Sequence, residues 1–558
     1  MRLHTSVSMA ALVGVVALGA TSAQAAPHRR HAAPKPDPRD ARIDALESEL
    51  GALVQEVRAL RAERAAPAPV VAYAPSVGGS GTRVVGNASQ GVSGPPSSPD
   101  IPRPSPAVAS APAPSGGATI LAGKPSITSP DGRFAANLHG VVQFDTAGYF
   151  QASARPATVD LRRGAAAADT GHARDLADGP GFRRARVGID GKAFGDFEYN
   201  LLFEFGGSGA EDAAHVQEAW LQYSGFKPFH LKIGAFRPSL GLEDQGSTNG
   251  MLFNERPAVI DATASLSGAD FREGVQLWAT GDRWFASGGV TSRLVGTINS
   301  TGSSNAATFD QALGFVGRAD FIPFKGDDWL TLVGVHGSYA YKVADIGGPD
   351  VAVGTARYPI QFRERPELRV DGTRLVDTGG IDAQHGHTTG FEFAAQKQNL
   401  FIQAEYETFG IDRRNSVLSD PDFSGFYVEA AWTLTGERRR FNPNTFAFDA
   451  PPVDHPFDLI NGTWGAWEVA LRYSDLNLNY HKGSAGLAVP TDGVRGGDQQ
   501  VFNAGLNWYL NPVIRFVLDY QHVDIDRLSP SAVTFATPVG AQIGQKYDTL
   551  SLRSQLAF

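Results

Sequence analysis

From Thr119 onward, apolar and polar side chains alternate with a period of two, the spacing of a β-strand whose two faces meet different surroundings. In FEYNLLFEF, residues Phe197, Tyr199, Leu201, Phe203 and Phe205 share one face, with Glu198, Asn200, Leu202 and Glu204 on the other. WEVALRYS sets Trp467, Val469, Leu471 and Tyr473 against Glu468, Ala470, Arg472 and Ser474. VIRFVLDYQ repeats the pattern: Ile514, Phe516, Leu518 and Tyr520 oppose Arg515, Val517, Asp519 and Gln521.

Segments of about ten residues, apolar outward and polar inward, separated by turns, mark a transmembrane antiparallel β-barrel. A soluble β-sandwich alternates too, so three further features decide. Aromatics stand at segment ends, as at Trp508, Tyr509 and Tyr547, where interfacial girdles sit. Tight links such as Leu510-Asn511-Pro512 and Phe226-Lys227-Pro228 contrast with long polar stretches at 155–180 and 345–388. The chain ends in KYDTLSLRSQLAF, with Leu550, Leu552, Leu556 and Phe558 on one face. A last strand closing on Phe558 resembles the signal that outer-membrane barrels present to the barrel-assembly machinery. Residues 120–558 number 439, which gives about 27 residues per strand and connection for sixteen strands. A barrel of that size keeps an aqueous channel, whereas eight strands fill their own interior.

The amino terminus is organised differently. Residues 1–25 read as a signal peptide: Arg2 and His4, an apolar run from Met9 to Ala20, then the small-x-small pattern Ala23-Gln24-Ala25. That run is shorter than the about 20 apolar residues of a spanning helix, and no later segment supplies one. A basic, Pro-rich leader (26–39) follows. Over 40–66, Ile43, Leu46, Leu50, Leu53, Val57 and Leu60 recur at alternating spacings of three and four, the seam of a short coiled coil. So short a helix, interrupted by Gly51, is marginal alone and gains from self-association, in a copy number the seam leaves open. Residues 67–118 are Pro, Ala, Ser and Gly and cannot bury a core. The arm is expected in the periplasm, where a cell-wall contact is open to it.

Composition narrows the function classes. The absence of Cys removes disulfides and thiolate metal sites. A net charge of −9 argues against a nucleic-acid partner. Residues 120–558 hold 38 basic and 50 acidic side chains, a total that does not set the sign of a constriction. Mean hydropathy is −0.18, a value that polar lumen faces produce in a barrel as readily as solvent does in a soluble fold.

Several stretches resemble the phosphate-selective porin O and P family: GFRRARVGIDGKAFGDFEYNLLFEF (181–205), VQEAWLQYSGFKPFHLKIGAFRPSLGLED (216–244), FNERP (253–257), YVEAAWTLTGERRRF (427–441), GAWEVALRYSDLNL (465–478) and NAGLNWYLNPVIRFVLDYQHVDID (503–526). The resemblance implies a sixteen-stranded porin, usually trimeric, with an inward-folded third loop narrowing the pore. It matches the family's pore arginines to Arg183 and Arg184, and the hydroxyl pair of its third loop to Ser247 and Thr248. Two family lysines are replaced by Glu198 and Asp244, and an acidic residue by Gln217. The acidic replacements at Glu198 and Asp244 favour, as the alternative, a general or cation-leaning porin.

A pore must hold charge and donors where a solute sheds water, yet let the solute leave. Arg offers an oxyanion a fixed fork of donors and Lys a point charge. Simple pleating puts Arg184 and Arg186 on one face and Arg183 on the other, so Arg183 and Arg184 both reach the lumen only if a bulge intervenes. Lys232, Arg472 and Arg515 fall on polar faces and either form a basic track or balance acids such as Glu468 and Asp519. Arg363 with Arg365 and Arg369, Arg413 with Arg414, and Arg438 to Arg440 have loop-like flanks and read as solvated surface or lipopolysaccharide contacts. His385-Gly386-His387 reads as a solvated loop. No metal ligand set, cofactor motif or nucleophile motif appears, so the chain reads as a channel and not an enzyme. It is expected in the outer membrane, passing small hydrophilic solutes with phosphate and other anions preferred. An envelope tether acting through the arm is the reading from another class.

Overall fold

The computed structural model of the protein describes residues 117–121, 123–151, 174–206, 215–266, 271–294, 310–347, 352, 354–415, 417–530 and 537–558. The expected signal peptide, leader and coiled-coil helix and nearly all of the expected linker lie outside them.

Sixteen antiparallel strands close into a barrel. In chain order they are β1 (Ala135–Gln151), β2 (Gly179–Ala193), β3 (Phe197–Glu204), β4 (His215–Tyr223), β5 (Phe229–Phe236), β6 (Arg272–Thr280), β7 (Trp284–Leu294) and β8 (Leu313–Phe321). Then come β9 (Trp329–Lys342), β10 (Ile381–Lys397), β11 (Leu400–Arg413), β12 (Asp422–Thr433), β13 (Ala466–Tyr480), β14 (Val494–Tyr509), β15 (Ile514–Asp526) and β16 (Lys546–Ala557). β16 pairs with β1 from Tyr547↔Gln151 to Ala557↔Val141, leaving no open edge. Phe558 extends that closure: its N–H donates to the Gly140 carbonyl at 3.0 Å and its carbonyl accepts from Gly140 N–H at 2.9 Å. A hairpin of Gly117–Leu121 and Lys124–Thr128 pairs with the foot of β1.

The alternation reads out as expected. Outward side chains such as Ile233 (54% exposed), Leu471 (55%) and Leu552 (45%) form an apolar surface that hydrocarbon, not water, would accept. Trp284, Phe324, Trp329 and Trp432 are exposed at the end of the barrel where most connections are short. Trp508 belongs to that outer layer, stacked on Trp467 at 5.0 Å. Tyr509 and Tyr547 do not. Both are buried on the lumen side, and the Tyr509 hydroxyl donates to Glu468 Oε2 at 2.8 Å.

One end of the barrel has short connections, such as 194–196, 281–283 and 398–399, and the other has long ones. By the asymmetry of outer-membrane barrels, the short end is periplasmic. The link 434–465 is the exception, a long segment at the short end that carries a hairpin of Arg440–Asn442 and Ala447–Asp449.

Three segments fold into the lumen. The third loop (237–271) carries helices α1 (Leu242–Gln245) and α2 (Ala258–Ser265). The 343–380 connection, irregular in sequence, forms a small hairpin of Arg363–Glu364 and Val376–Asp377. The 434–465 hairpin enters from the other end. Apolar residues drive each inward: Val259 and Ile260 of α2 join Phe362, Phe409 and Phe423 in one buried cluster, and Leu242 and Phe253 join Phe446 and Phe401 in another. His385 and His387 lie in strand β10, opposite Asp412 and Gly410, and not in a loop.

Candidate functional site

The third loop has little regular structure between α1 and α2, so its buried backbone carbonyls need donors from elsewhere. Guanidinium groups supply them. Arg256 donates to the carbonyls of Glu243 and Asp244 at 3.2 Å each, Arg515 to Asn249 at 2.9 Å, and Arg472 to Glu255 at 3.0 Å. Arg439 bonds the Gly250 carbonyl and Arg553 that of Asn254. Five donors in a fixed fork suit arginine to this task. At the loop's entrance, Gly241 adopts φ +86, a conformation that favours glycine. The Glu405 carboxylate then accepts the amides of Leu242 and Glu243 at 2.8 Å each.

The loop leans on β10–β16, where lumen-facing Glu468, Asn503 and Asp519 are fully buried. Among the described residues, Asn200, Glu218, Trp220 and Lys232 of β3–β5 keep partial exposure on the opposite wall. The solvent-accessible side of the lumen therefore runs along β3–β5.

At the edge of that side a β-bulge resolves the arginine question. Gln143 pairs with Arg184 while Phe144 pairs with Phe182, so Arg183 is the extra residue. Arg183 turns inward to Glu255, Nε to Oε1 at 2.5 Å and Nη2 to Oε2 at 2.9 Å. Arg184 also faces in and donates to Gln143 Oε1 at 2.7 Å. Arg186 pairs with Glu204 at 2.5 Å beside the Phe271 ring. All three arginines thus reach the lumen, and each is committed differently. Two are neutralised by carboxylates. Arg184 is 3% exposed, has no carboxylate within 4.0 Å among the described residues, and leaves its Nε without an acceptor.

Ser247 and Thr248 sit beside it. Gln143 Nε2 donates to the Thr248 carbonyl at 3.4 Å, so one glutamine joins Arg184 to the third loop. Ser247 N–H donates to Asp449 of the 434–465 hairpin at 3.3 Å, and its hydroxyl accepts from Asn249 N–H. Asp244 is buried within α1, away from the exposed wall. Glu198 does lie on that wall, accepting from Gln222 at 2.9 Å. Gln217 is the extra residue of a bulge in β4 and meets exposed His215 at 3.0 Å.

The supposed basic track divides. Lys232 stands over the Trp220 ring at 4.4 Å, with no carboxylate within 4.0 Å among the described residues. Arg472 is neutralised by Glu367, and Arg515 is spent on loop carbonyls. Two arginines expected at the surface are lumen residues instead: Arg369 pairs with Glu255 at 3.4 Å and with Asp261, and Arg439 pairs with Glu468 at 2.9 Å. Their flanks read as loops because they are loops, but loops that fold inward.

Glu255 is the hub that sequence reading missed. Burial pushes its carboxyl up, but the guanidinium charges of Arg183, Arg184, Arg369 and Arg553 win and hold it well below the usual carboxylate range. FNERP showed the residue without its role, because its partners lie far apart in the chain.

The family described as phosphate-selective porin O and P matches residues 158–558. Porin O of Pseudomonas aeruginosa is 27% identical over 377 residues, which span 64% of this chain and 79% of that protein. An uncharacterised protein of Caulobacter vibrioides is 26% identical over 415 residues, 73% of this chain and 72% of its own length. Among solved structures, a loop-deletion mutant of OmpT, an outer-membrane protein of Vibrio cholerae, aligns with a TM-score of 0.42 at 10% identity, covering 76% of this chain and all of that one.

Proposed function

From a chain that belongs to the phosphate-selective porin O and P family and folds as an outer-membrane porin channel, we propose passive diffusion of small hydrophilic solutes with phosphate and other anions preferred. One observation carries the preference. Arg184 is a buried cation beside the third loop with no carboxylate within 4.0 Å among the described residues, and an unpaired buried charge is costly until a counter-ion arrives. Its free Nε is itself buried, so a passing oxyanion is drawn by the guanidinium charge and does not meet that donor directly. Lys232 adds a second uncommitted charge on the exposed wall. One weakly held anion that can leave is what conduction needs.

The test is the reversal potential of the purified protein in a planar bilayer under a KCl gradient. An anionic sign supports the preference. A cationic or near-zero potential favours the second reading, a general or cation-leaning porin, whose support is Glu198 on the exposed wall in place of a family lysine.

The same reading includes a homotrimer, lipopolysaccharide around the rim, assembly through Phe558, and the coiled-coil arm in the periplasm with a cell-wall contact open to it. A tether would lose cell-wall association when residues 26–118 are deleted, while a channel keeps conducting.

A further inference from the structure

On the wall that the third loop covers, four adjacent strands gather one histidine and four carboxylates. Across β8–β11, Arg318 lies opposite His336, His336 opposite Gly390, and Gly390 opposite Glu407. The neighbouring row runs Asp320, Gly334, Glu392, Glu405. The side chains of Asp320, His336, Glu392, Glu405 and Glu407 have no solvent exposure. Arg318 is the guanidinium among them, shared between Glu392 at 2.7 Å and Asp320 at 3.1 Å. Its single charge leaves this row rich in negative charge, which buried carboxylates do not tolerate without cations or protons.

Glycines make room for the group. A Cβ at Gly390 would lie 2.2 Å from His336 Nε2 and 2.5 Å from Glu407 Oε2. At Gly334 it would lie 2.0 Å from Asp320 Oδ1, and at Gly241 of the third loop 2.8 Å from Glu405 Oε2. Glu407 supplies an independent sign. Both its oxygens are buried without a hydrogen-bond donor, and its Oε1 stands 2.9 Å from His336 Nε2, at ion-pair distance but out of hydrogen-bond alignment.

The geometry points to a divalent transition-metal site, of zinc type, formed by His336 Nδ1, Glu392 and Glu405. These donor atoms lie within 4.8 Å of one another, with Nδ1 at 2.7 Å from Glu392 Oε1 and 3.9 Å from Glu405 Oε2. Ligands of a tetrahedral zinc sit about 3.4 Å apart, between those two separations. One imidazole with carboxylates suits zinc and its neighbours better than magnesium or calcium, which take oxygen alone. The surroundings complete it. Glu407 faces the other ring nitrogen, the position from which a carboxylate fixes the tautomer of a metal-bound histidine. Tyr427 donates to Glu405 at 2.8 Å, and Arg318 orients Glu392. Because Glu405 also caps the α1 amides, the ion ties the third loop to the wall.

The test uses the full-length protein, folded in detergent and stripped with EDTA, titrated with Co²⁺ and then with Zn²⁺ in competition. One Co²⁺ per chain is expected, with a visible d–d band of low-coordinate cobalt that Zn²⁺ abolishes and Mg²⁺ does not. H336N is expected to lose the band, and E407Q to weaken binding about 10–100-fold, the usual effect of removing such a partner. Heat-modifiable mobility on a denaturing gel checks that each variant is folded. Absence of the band in the wild-type protein overturns the site, whatever the variants do, and leaves His336 as an imidazolium clamped between Glu392 and Glu407. A band unchanged in folded H336N overturns it equally, by moving the ion to surface histidines.

Discussion

Arg183 of β2 and Glu255 of the third loop meet through two parallel hydrogen bonds, and that pair exists because a one-residue bulge turns Arg183 inward. Glu255 also takes Arg553 at 3.0 Å and Arg369 at 3.4 Å. The two halves of the pair are therefore unequal. R183A leaves Glu255 with other cations and should cost about 1–3 kcal/mol. E255A strands Arg183 and takes one carboxylate each from Arg369 and Arg553, which keep Asp261 and Asp145, and should cost about 3–5 kcal/mol. Unfolding midpoints in detergent check the order, and current noise in single channels should rise more in E255A as the loop loosens.

Acid should act through the same residue. The Glu255 carboxyl is held well below its ordinary range, so its contribution is complete above the unfolded value near 4.5 and is lost as pH falls through the lower folded value. Conductance should stay quiet at pH 5 and become noisy only in stronger acid. R183A should bring the onset to higher pH.

Alkali should act on the other inward segment. Burial, with Asp261 nearby, raises Glu364 to about 8, against the opposing charges of Arg374 and Arg369. A carboxyl raised in the folded state binds its proton more tightly there than in the unfolded chain. Its contribution is thus full below about 4.5 and is lost as pH climbs through about 8. Stability should fall between about pH 4.5 and 8, and E364Q, which stays neutral, should flatten that slope. A slope unchanged in E364Q would assign the effect elsewhere.

The 434–465 hairpin is tied to both wall and third loop by Arg439, which pairs with Glu468 and bonds the Gly250 carbonyl. Among the described residues, R439A leaves Glu468 with hydroxyl donors alone, from Tyr509 and Thr433. The expected loss is about 3–5 kcal/mol, read from thermal unfolding, with increased proteolysis at 434–465 in the folded barrel.

The strand faces were legible because a membrane barrel sorts side chains by environment, and Leu471, Leu518 and Leu552 could lie only outward. The last strand was legible by the same alternation. Arg183 was legible only as a conditional, since one inserted residue reverses every face beyond it. Tyr509 and Tyr547 misled because an aromatic at a strand end serves a girdle and a lumen equally well, and the choice turns on one position of register. Arg369 and Arg439 misled for another reason. Loop composition says that a segment is irregular, not whether it folds in or out. The row of His336, Glu392 and Glu405 could not be seen at all, because strand pairing, not sequence spacing, assembles it.

Single-channel chloride current, recorded while phosphate is added to one side, tests the role of Arg184 most directly. Saturable block in the wild type, relieved at least tenfold in R184A and retained in R184K, is the expected result. Block of equal strength in R184A, or no block in the wild type at any concentration, would contradict an anion site at Arg184.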